Sequence, residues 1–340
     1  MYATPWPRFS TWLSMATSLL AIGIVLTPAF GQTSLIFDEY VASNGGSVRD
    51  ALIEVLTDAK GKPGTTIQFA AKRYRIKGSI RHGGNNPPFE IPSNTTLDGM
   101  GPKKTTIEVD MSVSPNEQWS LFNIPSDGAA TVSDMQLVGK DMAGPIYQST
   151  AIWHLGGSGA MNLKNVKFRG FSSPVKRDLG SSNVLIDGCE FTARQSAFFT
   201  SGGGGGYDFR NSWFHDIGEG SLNHALYLKG QWEYINVVGN RFERIASAGI
   251  HRYGKDPSVT ATTAGPVLIW DNVFERCKEW AIILNGDFAY EARVMGNEIR
   301  ECQGEGIRIQ TSDVEVSGNT IWAVTGILGE KALVLRHQAT

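Results

Sequence analysis

One short pattern recurs along most of the chain and limits what it can fold into. An apolar pair is followed by Asn or a small residue, one spacer, and then Phe or another large apolar side chain. It is readable in VSDMQL, LKNVKF, LIDGCEF, FRNSWF, VVGNRF, IWDNVF, VMGNEI and VSGNTI, which close on Leu137, Phe168, Phe191, Phe214, Phe242, Phe274, Ile299 and Ile321. The intervals are 31, 23, 23, 28, 32, 25 and 22 residues, a unit of about 22 to 25 with insertions in some copies. A period of this size, β-rich and without a helix in each unit, belongs to a solenoid. One unit cannot bury its own apolar face, so neighbours must stack.

Two details select the kind of solenoid. Asn240, Asn272, Asn297 and Asn319 each stand two residues before an anchor, so stacking puts them in register as a buried hydrogen-bonded ladder. The units also carry several short strands joined by Gly-containing turns, with no LxxLxLxxN frame. A single-stranded parallel β-helix meets both conditions and a leucine-rich horseshoe meets neither. Each large inward side chain then contributes about 1.5–3 kcal/mol. Before the countable units, SVRDALIEVLTDA (47–59) places Val48, Leu52, Val55 and Leu56 at helical spacing behind Ser47, a candidate N-cap. This amphipathic helix is expected to cover the open end of the first coil, as terminal caps do in repeat proteins.

The first 31 residues read as a leader rather than as fold. Arg8 precedes the apolar LSMATSLLAIGIVLTPAF, and Ala29-Phe30-Gly31 has the small-x-small form of a cleavage site. An uncleaved anchor is the alternative, but the run is short for a span and Pro28 breaks it. The expectation is a β-helix domain over 32–340, secreted or periplasmic, without membrane contact after cleavage, and monomeric. The formal net charge of −2 and the absence of a basic run give no footprint for nucleic acid. Of three cysteines, Cys189, Cys277 and Cys302, the last two each lie three residues after an anchor and should meet at adjacent levels. A disulfide is geometrically open to them, and a pair of buried thiols is the plainer alternative.

The chain resembles the right-handed parallel β-helix superfamily typified by pectin and pectate lyases. The likeness runs over about 35–335 and includes SVRDALIEVL, TTIQFAAKRYRI and IPSNTTLDGMGPKKTTI, which look like that family's cap and first coils. It implies an all-β right-handed β-helix with a capping helix. Lyases, epimerases, hydrolases and non-catalytic adhesins share this fold, so it does not select an activity. The NTD, DD and GHG motifs of polygalacturonase-like hydrolases are absent, as are WxDH, RxPxxR and DPHD, so no catalytic residue carries over.

Aligning the segments after each anchor puts Ala151-Ile152, Ala197-Phe198, Ala225-Leu226, Gly249-Ile250, Ala281-Ile282, Gly306-Ile307 and Gly326-Ile327 at one position. Strand neighbours alternate faces. The following residue therefore points outward, giving a column of Trp153, Phe199, Tyr227, His251, Ile283 and Arg308. Beside it runs a second, Ser201, Lys229, Tyr253, Asn285 and Gln310, and SSPVKRD adds Lys176 and Asp178 to the two. Aromatic rings in a line suit stacking on sugars, and Lys, Arg, Asn and Gln suit hydroxyls and carboxylates. The alternative for Trp153 and Phe199 is packing beneath loops.

His224, Tyr227, Lys229, His251, Arg252 and Tyr253 come from two consecutive coils, so they are expected to lie close together. A lone strand His is ordinarily structural; an outward Tyr on the adjacent level favours chemistry. The reaction that fits is proton abstraction beside the carboxylate of a uronic acid polymer, ending in β-elimination or carbon-5 epimerisation. Lys229, Arg252 or Asn285 would neutralise the carboxylate, His251 would serve as base with an imidazole pKa near working pH, and Tyr227 would exchange a proton. The candidate catalytic set is His251, Tyr227, Lys229, His224 and Arg252. The substrate-binding set is Trp153, Lys176, Phe199, Tyr253, Asn285, Arg308 and Gln310. No cofactor is expected, and with no stacked Asp cluster no metal either. Two alternatives stand: a non-catalytic glycan-binding or surface-structural β-helix, and a glycoside hydrolase. Hydrolysis requires two carboxyls about 5 to 9.5 Å apart, for which the columns offer only Asp178, with Asp216, Glu219, Asp256 and Asp287 in turns. The run 202–206 (GGGGG) lacks the Lys-Ser/Thr of a phosphate loop and reads as a flexible connection between coils.

Overall fold

The computed structural model describes residues 33–77, 88–110, 119–139, 149–178, 180–200, 202, 204–220, 222–230, 232–253, 265–285, 291–311, 313–322, 324 and 333–335. The leader reading, Ser201, Asp256, Asp287 and Gly326-Ile327 lie outside the described residues. Thr33–Thr340 forms one unit.

Among the described residues every strand pairing is parallel, and each joins one coil to the next. A representative coil runs Tyr234–Val238, turns at Gly239-Asn240, continues as Arg241–Ile245, turns again, and closes with Ala248–Tyr253. The first two legs of successive coils join in a 19-stranded sheet. The third legs form a separate ten-stranded sheet that begins at Phe89–Glu90 and ends at Leu333–Leu335. This is a parallel β-helix, as the repeat predicts.

The anchors account for the core. Phe168, Phe191, Phe214, Phe242 and Phe274 are fully buried and stack with ring centroids 4.7 to 5.0 Å apart and planes within 13°. That spacing is the strand-to-strand distance itself, about 4.8 Å, so a rigid ring at one position per coil continues the stack without adjustment. Ile299 takes over the position, fully buried, at the next level.

The Asn ladder closes the turns. Asn272 Nδ2 donates to Val237 O (2.8 Å), Trp270 O (3.0 Å) and Asn297 Oδ1 (2.9 Å), while its Oδ1 accepts from the Asn240 backbone (2.9 Å). Ser212 extends the ladder upstream, donating its backbone N–H to Asn240 Oδ1. In Asn272→Ala, each buried group left unpaired costs about 1–3 kcal/mol. The urea midpoint should fall well below that of Asn319→Ala, at the less buried end of the ladder. Equal midpoints would contradict the ladder's role.

Ser47 caps helix α2 (Val48–Ala59): its hydroxyl accepts from Asp50 N–H, and Ala51, Leu52, Val55, Leu56 and Ala59 are buried. A second helix, α1 (Phe37–Ser43), was not legible in the sequence; it buries Phe37 against Phe69 and Tyr74. Parallel pairing starts at Ser34–Ile36, well before the first countable anchor, because the early coils carry no Asn or Phe marker. The three cysteines are free and buried. Cys277 donates to Cys302, and that hydrogen bond together with burial raises the Cys277 thiol well above its ordinary range.

One third-leg strand, Val175–Arg177, ends on an inward-facing arginine. Arg177, fully buried, donates to the carbonyls of Gly180, Ser182, Gly202 and Gly204, so its guanidinium ties part of the glycine run to the coil.

Candidate functional site

The ten-stranded sheet presents the expected columns. Its register pairs Trp153 with Lys176, Lys176 with Phe199, Phe199 with Tyr227, Tyr227 with His251, His251 with Ile283, and Ile283 with Arg308. The second column pairs Lys229 with Tyr253, Tyr253 with Asn285, and Asn285 with Gln310. All the named residues of the second column are half-buried, as are Lys176, Phe199, Tyr227, His251 and Arg308; Ile283 is buried at 2 % and Trp153 at 9 %.

At one end Lys176 Nζ lies 3.9 Å from the centre of the Trp153 ring, and Trp153 Nε1 donates to Asp178 Oδ2 at 2.8 Å. Burial lowers the proton affinity of Lys176, partly offset by Asp178. Further along, the Phe199 and Tyr227 rings are 5.4 Å apart. The Tyr227 ring lies 5.1 Å from both His224 and His251. Lys229 Nζ sits between two phenols, 5.7 Å from the Tyr227 ring and 5.8 Å from that of Tyr253. Beyond them the Arg308 guanidinium lies 4.6 Å over Trp280 and is paired with Glu305.

The two histidines form a chain. Ala248 N–H donates to His224 Nδ1 at 3.3 Å, His224 Nε2 and His251 Nδ1 are 2.9 Å apart, and the Asn285 amide is 3.4 Å from His251 Nε2. Burial, then the charges of Arg308 and Lys229, lower the His251 pKa to about 4. Burial, then His251, lowers that of His224 to about 3.

Three expectations about roles change. Arg252 does not face outward: strand alternation sends it inward, where it is 1 % exposed, lies 3.9 Å from the Trp232 ring and donates to the Asn285 carbonyl. It therefore cannot neutralise a polymer carboxylate. His224, in the turn before Leu226–Lys229, is 3 % exposed and sits beneath His251 rather than on the face. The His251 ring is a far weaker base than an imidazole near working pH, since desolvation and two cations oppose its protonation.

Sequence reasoning missed Glu305 and Trp280, which clamp Arg308. The register Trp280 to Glu305 was recoverable, because both precede the shared Ala/Gly-aliphatic frame by the same count. It also missed Glu90 and Asn123, which continue the column beyond Trp153 in coils without that frame.

The carboxylates also bear on hydrolysis. Among the described residues, those on this sheet or at its Asp178 flank are Glu90, Asp178 and Glu305. No two are closer than three coil levels, about 14 Å at 4.8 Å per level, against the 5 to 9.5 Å that glycoside hydrolysis uses. Asp216 and Glu219 instead line a groove of about 530 Å³ at another corner, tied to Arg244 and Arg194. Arg244 lowers the Asp216 pKa to about 2, which leaves no proton to donate near neutral pH.

A family described as right handed beta helix region matches residues 150–330. No curated protein matches the chain. Among solved structures it is similar to the catalytic domain of a GH87 α-1,3-glucanase in complex with nigerose (14% identity, TM-score 0.38), covering 85% of this chain and 66% of that one. It is also similar to the PL6 family alginate lyase AlyGC (12%, TM-score 0.42; 85% and 38% covered). PfbA, a surface adhesin of Streptococcus pneumoniae, is a third (12%, TM-score 0.34; 88% and 93%). The chain thus spans just under two thirds of the glucanase domain.

Proposed function

We propose, for a chain that belongs to the right-handed β-helix family, that its aromatic and cationic face holds an acidic, uronate-containing polysaccharide and acts on it by β-elimination or carbon-5 epimerisation. The observation that carries this reading is that Lys229, 5.7 and 5.8 Å from the Tyr227 and Tyr253 rings, and Arg308, two levels beyond His251, stand on the same sheet face on either side of His251. Such a spot favours an anion. The rings of Phe199, Tyr227 and Tyr253 flank it, with the apolar area that sugar faces require, while Trp153, four levels away, is buried beneath Lys176.

Chemistry follows from that placement. Cations at the sugar carboxylate stabilise the charge that develops when the proton on carbon 5 is removed. The electron pair then expels the neighbouring glycosidic oxygen, leaving a carbon–carbon double bond, or takes a proton on the opposite face. Tyr227, next to this anion site, enters as phenolate and takes the carbon-5 proton; the phenol so formed protonates the expelled oxygen, and in epimerisation water supplies the proton to the opposite face. With the leader-like residues 1–31, the substrate class puts the site of action in the periplasm or outside the cell.

A second reading is binding without turnover, and the weak basicity of His251 favours it. Incubation with polyuronates and with a neutral glucan separates the two, following unsaturated product by ultraviolet absorbance and inverted uronates by NMR. Lys229→Ala and Arg308→Ala should each weaken polyuronate binding about tenfold, as charged hydrogen bonds of this kind warrant. A neutral glucan bound as tightly as the polyuronate, or variants that bind like the unaltered chain, would remove the anion site.

A further inference from the structure

The hydrogen-bond chain beneath the face has a direction. A backbone amide can only donate, so Ala248 N–H, 3.3 Å from His224 Nδ1, makes that nitrogen the acceptor. The proton of a neutral His224 ring then sits on Nε2 and points at His251 Nδ1, 2.9 Å away. His251 Nδ1 must accept it, which leaves the His251 proton on Nε2. The Asn285 atom 3.4 Å from that nitrogen is the amide Nδ2, so the Nε2–H meets an acceptor there only with the amide turned to bring in Oδ1, a buried atom with no donor among the described residues.

We infer that His224 is a positioning residue that commits His251 to the neutral Nε2–H tautomer, so that His251 serves the face as a hydrogen-bond donor to the ligand's carboxylate and not as a base. The inference rests on the acidic-polymer reading for its ligand, but its geometry is a property of the free protein. The one lone pair of the neutral His251 ring is occupied by His224. Accepting a substrate proton would require breaking that bond in a buried place, beside Lys229 and Arg308. Lys229 at the level before it and Arg308 two levels after it put further donors on the same face, which suits a carboxylate.

The groups facing His251 are His224 from the preceding turn, Tyr227 and Lys229 from Leu226–Lys229, Tyr253 from its own strand, and Arg308 with its partner Glu305 from Glu305–Gln310. Burial and these cations keep the ring neutral down to about pH 4. Polyuronate affinity should therefore change by less than about twofold between pH 5 and 8, since no proton is taken up or released there.

Long-range ¹H–¹⁵N correlation on the ligand-free full chain at pH 7 tests this directly. Both rings are expected as neutral Nε2–H tautomers. In His224→Leu, which offers Nδ1 no donor, His251 should show mixed tautomers and polyuronate affinity should become pH-dependent. His251 found as Nδ1–H or as imidazolium in the unaltered chain overturns the inference, as does affinity that falls as pH rises through 6.5. The outcomes stay separable. Nε2–H tautomers without any polyuronate binding would sink the functional reading alone, and binding with His251 as Nδ1–H would sink the relay alone.

Discussion

Phe242→Ala should lower the unfolding free energy by about 3–5 kcal/mol, the range for truncating a buried aromatic side chain. Phe242 is fully buried and sandwiched, 5.0 Å from Phe214 on one side and 4.7 Å from Phe274 on the other. Alanine leaves a gap that neither neighbour can close without abandoning its own strand register. Because each coil touches only the coils beside it, one such gap weakens two interfaces at once. Trp270→Ala is the control: its ring is half exposed, and a substitution there should stay within about 0.5 kcal/mol if surface behaviour holds. Urea midpoints of the two variants compare them, and similar losses would mean that the stack is not what holds the coils.

A second large effect is expected from acid. His154 is fully buried, with Nε2 donating to Gly159 O and Nδ1 accepting from Gly156 N–H; burial lowers its pKa to about 4. With His224 at about 3 and His251 at about 4, three histidines have folded values far below the ordinary 6.5. The sign follows from proton binding. Between the two values the unfolded chain takes up protons that the folded chain refuses, so the stabilisation is complete above pH 6.5 and is lost as pH falls toward 4. A displacement from 6.5 to about 4 is worth on the order of 3 kcal/mol for His154. The His224–His251 pair titrates as one coupled unit and should contribute at least as much. Against a typical total of about 5–15 kcal/mol, stability begins to fall below pH 6.5 and has lost about 2 kcal/mol for a ring displaced to about 4 by pH 5. The carboxylates enter later: Asp216, held at about 2 by Arg244 and His215, and Glu275, held low chiefly by Arg300, lose their contributions only below the ordinary carboxylate range. Urea midpoints at pH 7, 6 and 5 measure the slope. A flat profile over that interval would mean that these rings are not desolvated.

The anchors and the Asn ladder were legible because a solenoid repeats one environment, so Phe and Asn mark equivalent places in every coil. The outward columns were legible for the same reason: Tyr227 and His251 share a register position that counting alone supplies. Three things were not. Arg252 was grouped with its neighbours by chemical type, although strand alternation sends it inward to Trp232. His224 lies in a turn, where neither period applies, so the place of its ring beneath His251 is set by tertiary packing. The weak basicity of His251 was also out of reach, since it comes from burial and from cations contributed by strands on either side.

Hydrogen exchange of the full chain with and without a saturating polyuronate oligomer tests the central claim most directly. The account predicts slower exchange in Leu226–Lys229, Ala248–Tyr253 and Glu305–Gln310, lost in the Lys229→Ala, Arg308→Ala double variant. Slower exchange confined to the groove at Arg194, Glu219 and Arg244, or no change anywhere under saturating oligomer, would contradict it.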